Sequence, residues 1–371
     1  MKDERAHLQL FDLIAREWRL PSPAQQVVFN ASDSSVAFAC ADGSIHLVAT
    51  ADKSSPTTRT RRAVDTARLT IAPRDTPYPA PKAAEFTSGR TTDIVPHGPV
   101  NFAFGKDTGR INTLTPGGIA VHLPIKAAAP LSAIAATAPT ADADIVAHAC
   151  GTTVQVSSDL KTLATLQAAG TVTALAFSPD GQTLAAAHVG GVSRWTVAEA
   201  HRDPLITPMT TVPRRLCWNH DGLWLACCMD QDGISVIDVS TNDARAYQNF
   251  PSPVRTAAFS APTATVVASG AFRVVAWSLT KPGDPIVSGK PGLVLVDAIA
   301  ASPNRSLVAV GYANGLVSVA EIGRPDEMLL RENTGAGITA LAWSANGNFL
   351  ALAGADGSAA LVEFPDSMFK S

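Results

Sequence analysis

The chain says nearly the same thing five times. VTALAFSPDGQTLAAAHVGGVSRWTV (172–197) is followed by RRLCWNHDGLWLACCMDQDGISVIDV (214–239) and VRTAAFSAPTATVVASGAFRVVAWSL (254–279). Then come VDAIAASPNRSLVAVGYANGLVSVAEI (296–322) and ITALAWSANGNFLALAGADGSAALVEF (338–364). Each is an alternating apolar run, a turn rich in Ser, Pro, Asn, Asp and Gly, a small-residue apolar run, a Gly turn and a third run. A period near forty residues predicts an array of small sheets that share their cores with neighbours, in place of one central core.

Within a unit, Leu175 and Phe177 alternate with Ala174 and Ala176, the period of two that marks a β-strand. SerProAspGly (178–181) supplies a Pro at an allowed φ and a Gly free for positive φ. The Ala-rich second run (183–189) suits sheets packed face to face at close range, and a poorer fourth strand is expected in the linker, as in PLITPM (204–209). Apolar residues form 46% of the 371 and charged residues 16%, which fits half-buried strands and excludes a disordered chain.

These units resemble the WD-repeat β-propellers. The resemblance rests on PheSerProAspGly (177–181), on AspGlySer before a strand at 42–44 and 356–358, and on the third-strand endings ArgTrpThr (194–196), IleAspVal (237–239) and AlaTrpSer (276–278). It covers residues 131–364 and 24–49. The family's Gly-His pair is missing, with only a reversed His97-Gly98, and no Trp-Asp dipeptide is intact. The His–Asp network of that family is therefore expected to be absent, leaving packing to hold the blades. The resemblance implies an all-β fold, a closed β-propeller of four-stranded antiparallel blades forming a single domain over 1–371. First strands near 24, 131, 171, 213, 254, 295 and 338 favour seven blades, the first interrupted by a long insertion. Eight stays open, because VNFAFG (100–105) and RINTLT (110–115) could begin another. LQLFDLIAREWRL (8–20) reads as a strand completing the last blade, the alternative being a short helix with Leu8, Phe11, Ile14 and Trp18 on one face.

Residues 50–98 break the pattern with a Pro-, Thr- and Arg-rich insertion, expected to be an extended excursion that carries little core. Its arginines, among them Arg59, Arg61, Arg62 and Arg68, could form an arm for an acidic or phosphate-bearing partner, since the guanidinium fork grips carboxylate and phosphate. Asp52, Asp65, Asp75, Glu85 and Asp93 dilute that field, and Tyr78 and Phe86 are too few for base stacking, so nucleic acid is a poor expectation. Arg194, Arg214, Arg215, Arg255 and Arg273 read as exposed. Arg214 and Arg255 open first strands of successive units, which places them at the rim of the channel.

Aligned on the Gly that opens each third strand, His148, His188 and Cys228 or Asp230 fall at one rim of consecutive blades, ligand types that suit zinc. No nucleophile elbow, His-Glu-x-x-His or phosphate loop is present, and His220-Asp221 sits in an ordinary turn. The net charge of −3 draws the chain to neither nucleic acid nor an anionic membrane. No long uncharged apolar run predicts a membrane span, and the N-terminus has no apolar core of a signal peptide. Five cysteines in apolar strands read as free thiols of a cytoplasmic protein. The expectation is a non-enzymatic scaffold without cofactor, binding proteins through the propeller rim, channel mouth and the 50–98 arm. The alternative is a zinc-binding accessory propeller or a metal-dependent hydrolase.

Overall fold

A computed structural model describes residues 9–62, 64, 69–85, 89–127, 130–138, 144–158, 161–229, 231, 233–365 and 368. Alternating runs become strands because each residue faces one of two packed neighbours, and the strands assemble into eight four-stranded antiparallel sheets in a ring. The first strands touch the first strands of both neighbours, so they line the central channel and the fourth strands form the outer edge. We number the blades 1 to 8 from the first strands Ala24–Phe29, Thr91–His97, Ala133–Ala136, Val172–Phe177, Pro213–Trp218, Ala257–Ser260, Val296–Ala301 and Ile338–Trp343.

Eight blades correct the favoured count of seven. The additional blade is blade 2, made of Thr91–His97, Asn101–Lys106, Arg110–Leu114 and Ala120–Lys126. VNFAFG is its second strand, and its first strand lies inside the Pro/Arg-rich insertion. That insertion also returns the fourth strand of blade 1, only Lys82–Ala83, against His46 and Leu47.

The buried apolar side chains sort into eight clusters among the described residues, each shared by two adjacent blades. One joins blades 3 and 4 around Leu166, Phe177 and Trp195, and another joins blades 8 and 1 around Leu20, Phe38 and Leu361. Every second strand is flanked on all sides, which explains runs such as Ala185–Ala187 at 0% exposure. Ala there brings sheets close without a void.

Side-chain caps stiffen the first-to-second hairpins. The residue that ends a first strand caps the N–H that opens the second: Asn30 to Ser35, Thr137 to Ile145, Ser178 to Thr183, Asn219 to Trp224 and Ser344 to Phe349, with N–H···O distances of 2.8–3.1 Å. Each cap satisfies a buried donor within the turn.

The ring closes through the N-terminus. Residues 10–14 form a short helix that seats Phe11 and Ile14 on the core between blades 7 and 8, and Leu8 lies outside the described residues. Ala15–Arg19 then pairs antiparallel with Ser358–Glu363 as the fourth strand of blade 8. Both readings of this segment hold, each for its own half. Across the seam, Asp33 accepts the N–H groups of Ala345 and Asn346 (2.8 Å each), and Thr339 Oγ1 donates to the Ala24 carbonyl (2.6 Å). Arg16, 6% exposed, donates to the Ala49 and Thr50 carbonyls at 2.9 Å and faces Asp52 at 3.7 Å.

Removing one member of a buried charged cluster leaves its partners unpaired, so Arg16→Ala is expected to cost about 3 kcal/mol in denaturant unfolding. Arg19, 68% exposed beside Asp356, is the contrast: Arg19→Ala should cost under about 1 kcal/mol. Equal losses would contradict this account of the seam.

Candidate functional site

Six first strands carry a β-bulge one residue after they begin, between Ala24 and Gln26, Thr91 and Asp93, Val172 and Ala174, Pro213 and Arg215, Val296 and Ala298, and Ile338 and Ala340. A bulge re-aims the extra residue. The bulged residues are Gln25, Thr92, Thr173, Arg214, Asp297 and Thr339, a polar set at one mouth of the channel. Two of the threonines link blades: Thr173 donates to the Pro213 carbonyl and Thr339 to that of Ala24.

A cavity of 380 Å³ opens at this mouth. It is lined by Gln25 and Thr339 on one side and by Arg214, Arg215, Met229 and Arg255 on the other. Those blades stand half a ring apart, so the cavity lies on the channel axis. Arg214, Arg215 and Arg255 are all exposed. The structure thus brings the predicted pair Arg214 and Arg255 to one opening, and Arg215 joins them. The opposite mouth differs: its 470 Å³ cavity is lined mainly by Val28, Ala31, Pro96, Ala136, Pro179 and Trp343.

Deeper in the channel stands Asp93, read in the sequence only as a diluting acid of the insertion. Its Oδ1 accepts from Gln26 Nε2 (2.6 Å) and from the Ile94 N–H (3.0 Å). Its side chain is half-buried. Burial pushes its carboxyl up to about 6, against the Gln26 amide, the Ile94 N–H and the Arg215 charge. Burial likewise raises Asp297, where the Arg255 charge opposes it.

The insertion proves to be a strap. Arg59 donates to the carbonyls of Ser54 (3.0 Å), Leu13 (2.6 Å) and Ala72, so its guanidinium is occupied within the fold. Arg74 grips Asp52 with both terminal nitrogens, at 2.5 and 3.0 Å, and lies over Tyr78. Burial favours a neutral Asp52, but Arg74 and Arg16 outweigh it and hold the carboxyl below the ordinary carboxylate range. Trp18 donates to the Pro79 carbonyl at 2.9 Å, tying the strap to the closing strand. This corrects the expectation of a loose arm. Arg61 and Arg62, on the small hairpin Thr60–Arg62 with Leu69–Ile71, stay exposed, as does Arg90, which donates to the Ala41 carbonyl. Arg68, Asp65 and Phe86 lie outside the described residues. Arg194, expected at the surface, is 5% exposed and donates to Val239 and Asn242, and Arg273 is held by the Gly289 carbonyl.

The proposed metal ligands do not come together. His188 pairs with Gly191 across a two-residue turn, whereas Met229 and Cys40 close longer turns onto Gly233 and Ser44. Aligning on glycine therefore mixes registers: the counterparts of His188, opposite the bulge, are Cys40, Lys106, Met229 and Tyr312. His148 lies two residues deeper in its strand, and Cys228 one. His188 Nδ1 donates to the Val189 carbonyl (3.0 Å) and Nε2 shares a hydrogen bond with Ser193 Oγ (2.9 Å), so both ring nitrogens are in use. Burial holds His148 below the ordinary histidine range and pushes the Cys228 thiol up to about 12. Among the described residues no three His, Cys, Asp or Glu side chains are grouped to hold an ion, and Asp230 lies outside them.

With the geometry in view, the comparisons with known proteins take their place. Residues 160–192 and 328–361 match the family described as WD domain, G-beta repeat. Each match starts in the fourth strand of one blade and continues through the inner strands of the next. The fold is similar to the structure of U3-55K, at 16% identity over 95% of this chain and 98% of that one, with a TM-score of 0.58. It is also similar to the crystal structure of the C-terminal WD40 domain of Sif2, at 14% identity over 96% and 99%, with a TM-score of 0.64. At those identities the likeness is one of fold. A search of curated protein sequences finds no significant match. Two segments of this chain thus match the WD repeat, and the chain folds as an eight-bladed β-propeller. Among the described residues no helix is long and apolar enough to cross a membrane.

Two outcomes follow from these contacts. The raised Asp93 carboxyl favours the folded state fully below about pH 4, where the unfolded chain is also protonated, and that contribution is lost as pH rises through about 6. Asp93→Asn keeps the neutral shape, so it should match the parent near pH 4 and exceed it near pH 7 in unfolding free energy. Parallel stability–pH curves would contradict the burial of this carboxyl. Excising residues 55–80 removes the Arg59, Arg74 and Pro79 contacts and should lower the thermal midpoint by several degrees, about 1–3 kcal/mol. An unchanged midpoint would show that the strap carries nothing.

Proposed function

We propose that this propeller is a non-enzymatic platform that binds a partner protein through an acidic segment at the arginine-lined channel mouth. The observation that carries this reading is the convergence of Arg214, Arg215 and Arg255 on one 380 Å³ opening. Three exposed guanidiniums at the rim of a concave site focus positive potential there in a chain whose net charge is −3. A rigid ring fixes their spacing, so a carboxylate-bearing segment meets a preorganised set of donors. Other WD-repeat propellers commonly serve as interaction scaffolds, which is support by analogy of fold. Arg61 and Arg62, on the strap, offer a second cationic surface that such a partner reaches only if it extends beyond the rim.

A fluorescein-labelled peptide of Glu, Gly and Ser tests the reading by anisotropy. It should bind the full chain at low salt, weaken as salt rises, and lose about tenfold in affinity on Arg214→Glu or Arg255→Glu. Affinity that ignores both substitutions would remove the arginine mouth as the binding site.

A further inference from the structure

Beside the arginine mouth, loops of blades 6 and 7 carry two exposed apolar residues, called the ledge below. Backbone bonds stitch three loops into one surface there. Ser252 N–H donates to the Gly270 carbonyl (3.1 Å), Gly270 N–H to Val296 (2.8 Å), and Val296 N–H to Ala271 (2.8 Å). Arg255 N–H donates to Ser269 Oγ (3.1 Å), and Arg273 Nη2 to the Gly289 carbonyl (2.6 Å). The entry to blade 6, its hairpin at 270–273 and the link 289–295 therefore hold fixed positions beside Arg255. On these loops Phe272 is 40% exposed and Leu293 is 91% exposed.

Scattered apolar residues at a surface are ordinary. Here two of them sit on loops bonded to the segment that presents Arg255, and the turns themselves require neither side chain. Two described anionic groups nearby are already engaged. Asp297 is half-buried against Arg255, and Glu327 accepts from Tyr312, Ser318 and the Lys290 N–H. The surface thus presents cations at the channel and apolar side chains outward from it.

We infer that this surface takes a linear protein segment in which an acidic residue, seated among Arg214, Arg215 and Arg255, neighbours an apolar residue that covers Phe272 and Leu293. The inference rests on the reading of the arginine mouth as the binding site and specifies what binds there. Charge complementarity selects the acidic end and speeds encounter, and the apolar contact lengthens residence. The mouth is concave and the ledge has two apolar positions, which suits a peptide better than the plane of a bilayer.

The test uses the full chain and two labelled peptides, one of Glu, Gly and Ser, the other of Glu, Gly, Leu and Phe. The second should bind about tenfold more tightly. Leu293→Ser with Phe272→Ser should abolish that advantage while the first peptide binds as before, and Leu293→Met should retain it. Equal affinity of the two peptides for the parent chain, or an advantage that survives the double substitution, overturns the inference. So does binding of phosphatidylserine vesicles in place of either peptide. If Arg255→Glu still weakens the first peptide in those cases, the arginine mouth stands and only its apolar extension falls. If neither peptide responds to Arg255→Glu, the underlying reading falls.

Discussion

Blades 1 to 7 take their four strands in chain order, whereas blade 8 takes its outer strand from Ala15–Arg19, and ring closure depends on that pairing. The family matches at 160–192 and 328–361 both begin in an outer strand and end within the following blade. Ser358–Glu363 would present a bare edge unless Ala15–Arg19 covered it, and an unpaired edge invites other chains. Docking of the N-terminal strand joins positions 347 apart at Ala15 and Val362 and 339 apart at Arg19 and Ser358.

That closure is reinforced from outside the repeat pattern. Arg16 holds the carbonyls where the chain leaves blade 1, Asp52 and Arg74 form the knot beside it, and Trp18 reaches Pro79. The strap thus lies over the strand whose release would open the ring. Other seams carry polar links of their own: between blades 4 and 5, Arg194 donates to Val239 and Asn242, Trp218 donates to the Ala176 carbonyl, and Thr173 donates to the Pro213 carbonyl. The insertion's basic composition suggested recruitment of a partner, yet most of its described arginines serve the fold.

Much of the architecture was readable in the sequence because its hairpins are regular. The Ser-Pro-Asp-Gly turn and its relatives mark first-to-second hairpins, and Arg214 and Arg255 could be placed at a channel mouth from their position in first strands alone. Blade 2 was not readable, because Thr91–His97 lacks clean alternation: it includes Asp93 and Pro96, and only Ile94 is fully buried. The fourth strand of blade 1 is two residues long and gives no pattern at all. The His–Cys alignment failed for a geometric reason. Second-to-third hairpins differ in length, so equal spacing from glycine is not equal register. Asp93 went unrecognised because only three-dimensional neighbours, Gln26 and Arg215 among them, distinguish a channel carboxyl from a surface one.

Amide hydrogen exchange on the intact chain tests the closure most directly. If Ala15–Arg19 completes blade 8, its amides and those of Ser358–Glu363 should exchange slowly, at rates near those of other paired outer strands such as Lys161–Gln167, and Arg16→Ala should release both together. Fast exchange of 15–19 beside slow exchange of 358–363 would mean that the N-terminal strand does not close the ring.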